Sequence, residues 1–137
     1  SQAAEQYLDA DHALQTILNA DGPIQFDALV SHVKRKSDAM DRLELAALDF
    51  FEASDNALEA FTPGGKRWIM TESLRKPNLI QLTYFSSDGL PFGDLQYTDK
   101  IAAIQELFRS TKLETIQNYS GTKFFEFEST QRNTLSL

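Results

Sequence analysis

Histidines, carboxylates and glycines are where bond-making or ligand-holding chemistry would begin in this chain. His12 follows Asp9 and Asp11, and on a helix the i, i+3 pair Asp9 and His12 shares a face, as two ligands of one metal ion would. Two ligands do not complete a site, so the cluster reads as surface decoration. His32 lies beside Val33 and just ahead of Lys34, Arg35 and Lys36, where a half-exposed helix position explains it better than a general base does. The 137 residues include no cysteine, which excludes disulfides, thiolate zinc sites and cysteine nucleophiles. "PGGK" at 63–66 lacks the upstream glycine of a phosphate-binding loop, and no G-x-G-x-x-G, G-x-S-x-G or H-E-x-x-H occurs. "SSDGLPFGD" at 86–94 misses the alternating acids of a calcium loop and reads as a turn. The expectation is a protein without enzymatic activity, metal or cofactor.

Charge supplies a stronger signal. The formal net charge is -7; residues 1–75 hold 13 acids against 7 bases, and residues 76–137 hold 7 against 6. The excess concentrates in Asp38, Asp41, Glu44, Asp49, Glu52, Asp55 and Glu59, opposed only by Arg42. Such a field repels nucleic acid and favours a basic protein partner. Asp41, Glu44, Asp49, Glu52 and Asp55 are therefore the candidate partner-binding residues of a regulatory or inhibitory protein-binding module. The bland alternative is a solvated helix face.

The elements that must position these residues follow from apolar spacing. Tyr7, Leu14, Ile17 and Leu18 form one stripe of a 3.6-residue period, and "DGP" at 21–23 ends that helix. Phe26, Leu29, Val30 and Val33 repeat the spacing in a second helix ending near the basic triplet. Ser37 or Asp38 can cap a third helix with Met40, Leu43, Ala47, Phe50 and Phe51 as its apolar set. Beyond Ser54 two readings compete. The helix runs on to Thr62 and Pro63, or Asp55 and Asn56 turn the chain into a strand "ALEAF" that pairs through "TPGG" with "KRWIMTES".

Three helices and such a hairpin, with "IQF" as the short strand ahead of the second helix, resemble a winged helix-turn-helix domain over residues 1–74. The resemblance implies a recognition helix at 38–54 and a wing tip at Gly64 to Arg67. DNA-binding members are basic there, whereas 38–54 is the most acidic segment of this chain. A DNA-binding regulator using a basic rim of Lys34, Arg35, Lys36, Lys66 and Arg67 is the rival function, and a small enzyme the third.

Residues 75–130 read as strand, strand, helix, strand, strand. Ile80, Leu82 and Tyr84 alternate in "NLIQLTYF"; Pro91 and Gly93 mark "LPFGDLQY" as an edge or bulged strand. Thr98 or Asp99 caps a helix striped by Ile101, Ile104, Leu107 and Phe108. "LETIQ" and "TKFFEFE" form a hairpin around "NYSG", with Phe125 and Phe127 on one face, Phe124 on the other, and core packing favoured over base stacking for at least two of these rings. Residues 131–137 read as a flexible tail, and "LRKPN" at 74–78 as the only candidate joint between the halves. No apolar run is long enough to cross a bilayer and no leader pattern is seen, so a cytoplasmic location is expected. The expected class is α+β: three amino-terminal helices with a wing-like hairpin, packed with a small antiparallel sheet and one helix.

Overall fold

Small side chains and uninterrupted helical phase organise the first part of the chain. The structure, a computed structural model, describes residues 1–76, 78–110 and 113–126. It divides into two compact units, Ser1–Ala46 and the residues from Ala47 onward.

In the first unit, helix α1 (Gln2–Leu18) is capped by Ser1, whose hydroxyl oxygen accepts from the Ala4 amide at 3.2 Å. Its buried residues are Ala4, Ala10 and Leu14, so the apolar stripe is narrower and smaller than Tyr7, Leu14, Ile17 and Leu18 would make it. Gly22, at φ +93°, takes the left-handed conformation that lets the chain leave the helix. Helix α2 (Phe26–Ala53) follows, and the Lys36 ammonium meets the Asp11 carboxylate of α1 at 2.9 Å.

The expected second and third helices are one helix. Neither proline nor glycine occurs between Ile24 and Thr62. Ser37 and Asp38 can cap only if the backbone turns, and the apolar phase gives it no reason to. Val33, Met40 and Ala47 fall seven residues apart, in register across the basic triplet. The chain thus has two amino-terminal helices, without the break at 37–38 that separates the helices of a helix-turn-helix.

The end of α2 resolves the ambiguity at 54–62. Asp55 and Asn56 both adopt left-handed φ values, 56° and 55°, and the Asn56 amide donates to the Phe51 carbonyl at 3.0 Å. The helix stops there, and β1 (Ala57–Phe61) pairs antiparallel with β2 (Arg67–Glu72). Gly64 and Gly65 supply the positive φ of the connection, and Thr62 closes it by donating from its amide to the Lys66 carbonyl at 2.9 Å.

The hairpin does not stand apart as a wing. It is the centre of a six-stranded antiparallel sheet of order β4-β3-β2-β1-β5-β6, with β3 at Ile80–Phe85, β4 at Pro91–Tyr97, β5 at Thr115–Gln117 and β6 at Lys123–Glu126. Helix α3 (Lys100–Ser110), capped by the Asp99 carboxylate accepting from the Ile101 amide at 3.0 Å, carries the chain from the β4 edge to the far side of β1. The α+β class is as expected, as is the ββαββ order after residue 75. The sheet nevertheless runs across the 74/75 line drawn from sequence, and the division between units falls inside α2. Pro91 and Gly93 sit on an edge strand, where a missing donor and a missing side chain cost little. The tail at 131–137, Phe127 and Pro77 lie outside the described residues.

Strand register explains the core of the second unit. Leu58, Met70 and Leu82 are cross-strand partners in a row, and all are fully buried with Phe51, Ile80, Ile104, Leu107 and Ile116. Helix α3 packs on β3 and β4. Glu59, Ile69 and Thr83, partners on the alternate face, are half-exposed. Phe124 and Phe125 are both buried; Phe124 packs on Phe50 at 5.3 Å between ring centroids and Phe125 on Phe108 at 6.1 Å.

Candidate functional site

Helical period decides which acids of α2 can reach a partner. At about 100° per residue, Asp38 and Asp41 of the first unit lie about 60° apart, as do Asp49 and Glu52 of the second, whereas Glu44 lies about 90° from the middle of the first pair. Exposure follows that wheel. Asp38 and Asp41 in the first unit, and Asp49 and Glu52 in the second, are exposed. Glu44 retains only 2% of its surface and is withdrawn from the candidate set. A sequence count of acids cannot see this, because Glu44 is one more charge in an acidic run until its angle is considered.

The remaining carboxylates differ in how freely they present charge. Glu52 is met by Lys100 at 3.5 Å, and the same ammonium lies 3.6 Å from Glu72, so a single cation is shared between two acids of the second unit. Asp55 is exposed but stands past the helix end, in the left-handed turn. Among the described residues Asp41, Asp49 and Asp55 form no ion pair. Exposed Leu45 lies close to Asp41 on the helix of the first unit, setting an apolar side chain beside that carboxylate's face.

The residues of the basic rim are divided between the units, with Lys34, Arg35 and Lys36 in the first and Lys66 and Arg67 in the second. Lys36 is engaged by Asp11, whose hydrogen bond is the main reason its pKa is raised above the ordinary lysine value. Arg67 is engaged twice, by Glu59 at 3.6 Å and by the Phe85 ring, whose centroid is 4.9 Å from the guanidinium carbon. Lys34, Arg35 and Lys66 are exposed.

Asp9 and His12 are exposed on α1. His32 is half-buried, with its Nδ1 out of solvent and without a hydrogen-bond partner among the described residues. No group of three or more acids and histidines that could hold a metal is found among the described residues. The 86–90 segment is a turn closed on Asp88, which accepts from the Ser86 hydroxyl and from the Leu90 amide at 3.2 Å. Those bonds, the Ser86 one foremost, hold the Asp88 carboxyl below its ordinary pKa.

Two surfaces escaped the sequence reading. Phe26, Val30 and Val33, which with Leu29 repeat the helical spacing, are 75%, 48% and 50% exposed. Together with Leu29 they span an arc of only about 100°, the width of an ordinary core-facing stripe, so the spacing alone carries no sign of their exposure. The other surface is an aromatic row in the second unit, where Trp68 packs on Tyr84 at 5.0 Å and Tyr84 meets exposed Phe92 edge-on at 5.6 Å. The register that places these rings side by side becomes visible only with the sheet.

Compared with known proteins, the chain matches no family model, no curated protein and no solved structure. Among the described residues no helix is long and apolar enough to cross a membrane.

Proposed function

We propose that this chain is a non-enzymatic, regulatory or inhibitory protein-binding module of the cytoplasm, which engages a basic partner through carboxylates of α2 and its terminal turn. Asp41, Asp49 and Asp55 carry the contact. Glu52 contributes less, because Lys100 already offsets part of its charge. The observation that supports this reading is the exposure of Asp41 in the first unit and of Asp49 and Asp55 in the second, each without an ion pair among the described residues. Clustered, solvated negative charge raises the encounter rate with a cationic surface more than it tightens the final complex.

The test begins with the partner that co-purifies from the native cell. Its association with the wild-type chain and with D41K/D49K is followed at low and high salt. The double reversal slows association roughly tenfold at low ionic strength, and the two rates converge as salt screens the field. Equal rates at low salt refute the proposal.

A further inference from the structure

Helix α2 carries two apolar faces, and only one of them is used within the first unit. Leu29, Lys36, Ala39 and Leu43 follow one helical line; Ala39 and Leu43 on it are buried, and Lys36 pairs with Asp11 of α1. Phe26, Val30, Val33 and Ser37 follow a second line by alternating steps of four and three residues, the spacing of a seam between two helices. All four are exposed. Ile24, just ahead of the helix, is exposed as well.

We propose that a second copy of this chain occupies that line, α2 against α2, in antiparallel orientation about a two-fold axis near Val30. Charge on the flank of the stripe selects both the occupant and its direction. Asp27 and Lys34 are exposed, lie seven residues apart on the same side of the stripe, and sit on opposite sides of Val30 along the helix. A two-fold axis near Val30 places Asp27 of each copy opposite Lys34 of the other, so the favourable pair is made twice. A parallel arrangement places the two copies of this flank on opposite sides of the seam, so neither Asp27 nor Lys34 meets the other and the pair is not made. The same axis brings Phe26 of one helix towards Val33 of the other and Val30 towards Val30, so that each exposed apolar side chain meets another. The stripe occupies the first turns of α2, ahead of Asp41, and the inference does not rest on the proposed function.

Sedimentation equilibrium of the full chain over a concentration series, up to about 0.5 mM, tests the proposal. The wild type shows a monomer-dimer equilibrium. V30E, which places a carboxylate on an already exposed position, weakens the dimer at least about a hundredfold while the far-ultraviolet circular dichroism is unchanged. D27K alone and K34D alone each weaken self-association several-fold. An equimolar mixture of the two restores dimer, because the ammonium introduced in one variant then faces the carboxylate introduced in the other. A wild-type mass that stays monomeric throughout, or a V30E dimer as tight as the wild type, overturns the docking surface. A dimer that V30E dissociates but the mixture fails to restore overturns the antiparallel arrangement.

Discussion

The continuity of α2 is open to a direct test at Asp38. If a helix began there, Ser37 would be its cap and residue 38 its first turn, where proline is well tolerated because the missing amide has no intrahelical partner. In the continuous helix Phe26–Ala53 the residue lies in the interior. A proline there removes the hydrogen bond to the carbonyl of Lys34 and drives the ring against that carbonyl, at a cost of about 3 kcal/mol. At about 4 °C per kcal/mol for a chain of this size, D38P lowers the midpoint of thermal unfolding by about 12 °C. D38A is the control, since alanine retains the helix and changes stability by only a few tenths of a kcal/mol. Far-ultraviolet circular dichroism follows both variants. A D38P midpoint within about 2 °C of D38A would refute the continuous helix and return the break to 37–38.

Glu44→Lys separates burial from docking: it destabilises the fold by about 3 kcal/mol in urea unfolding, whereas D41K on the exposed arc of the same helix changes stability by less than about 0.5 kcal/mol. The Asp11 to Lys36 pair, two partly exposed groups, gives a coupling energy of about 0.5 kcal/mol in a double-mutant cycle at pH 7. Because the Lys36 pKa is raised in the fold, that contribution is fully present below the ordinary lysine value of 10.5 and is lost as pH rises through the raised one; a coupling that grows in that window contradicts the assignment. Duplex DNA at low ionic strength gives no gel retardation with the wild-type chain. Retardation that falls steeply with salt and disappears in K66A/R67A would support the rival basic rim instead.

What the sequence made legible was periodic and bounded by breakers. Ile101, Ile104, Leu107 and Phe108 announced α3, and "TPGG" announced the hairpin that β1 and β2 form. Pro91 and Gly93 marked the edge strand through chemistry local to each residue. The boundary at 37–38 was misread because Ser37 and Asp38 are caps only where the backbone turns, and the decision was made by apolar residues on either side of them. Glu44 was misplaced for a related reason: residue type gives its charge, whereas its burial depends on its angle about the helix. The exposure of Phe26, Val30 and Val33 is harder still to read, since an apolar stripe on a helix looks the same whether it packs within the chain or is left bare.

The position of β1 between β2 and β5 governs how the protein can be made. Its hydrogen bonds to β2 join residues close in sequence, but those to β5 join Glu59 to Gln117 and Phe61 to Thr115. During synthesis at about 5–20 residues per second, several seconds pass between the emergence of β1 and that of the strand that completes its second side. Throughout that interval the nascent hairpin presents an open backbone edge, able to zip onto the same hairpin of a neighbouring ribosome's product. A ribosome stalling before Thr115 would prolong that hazard and leave an adhesive fragment in place of a finished sheet.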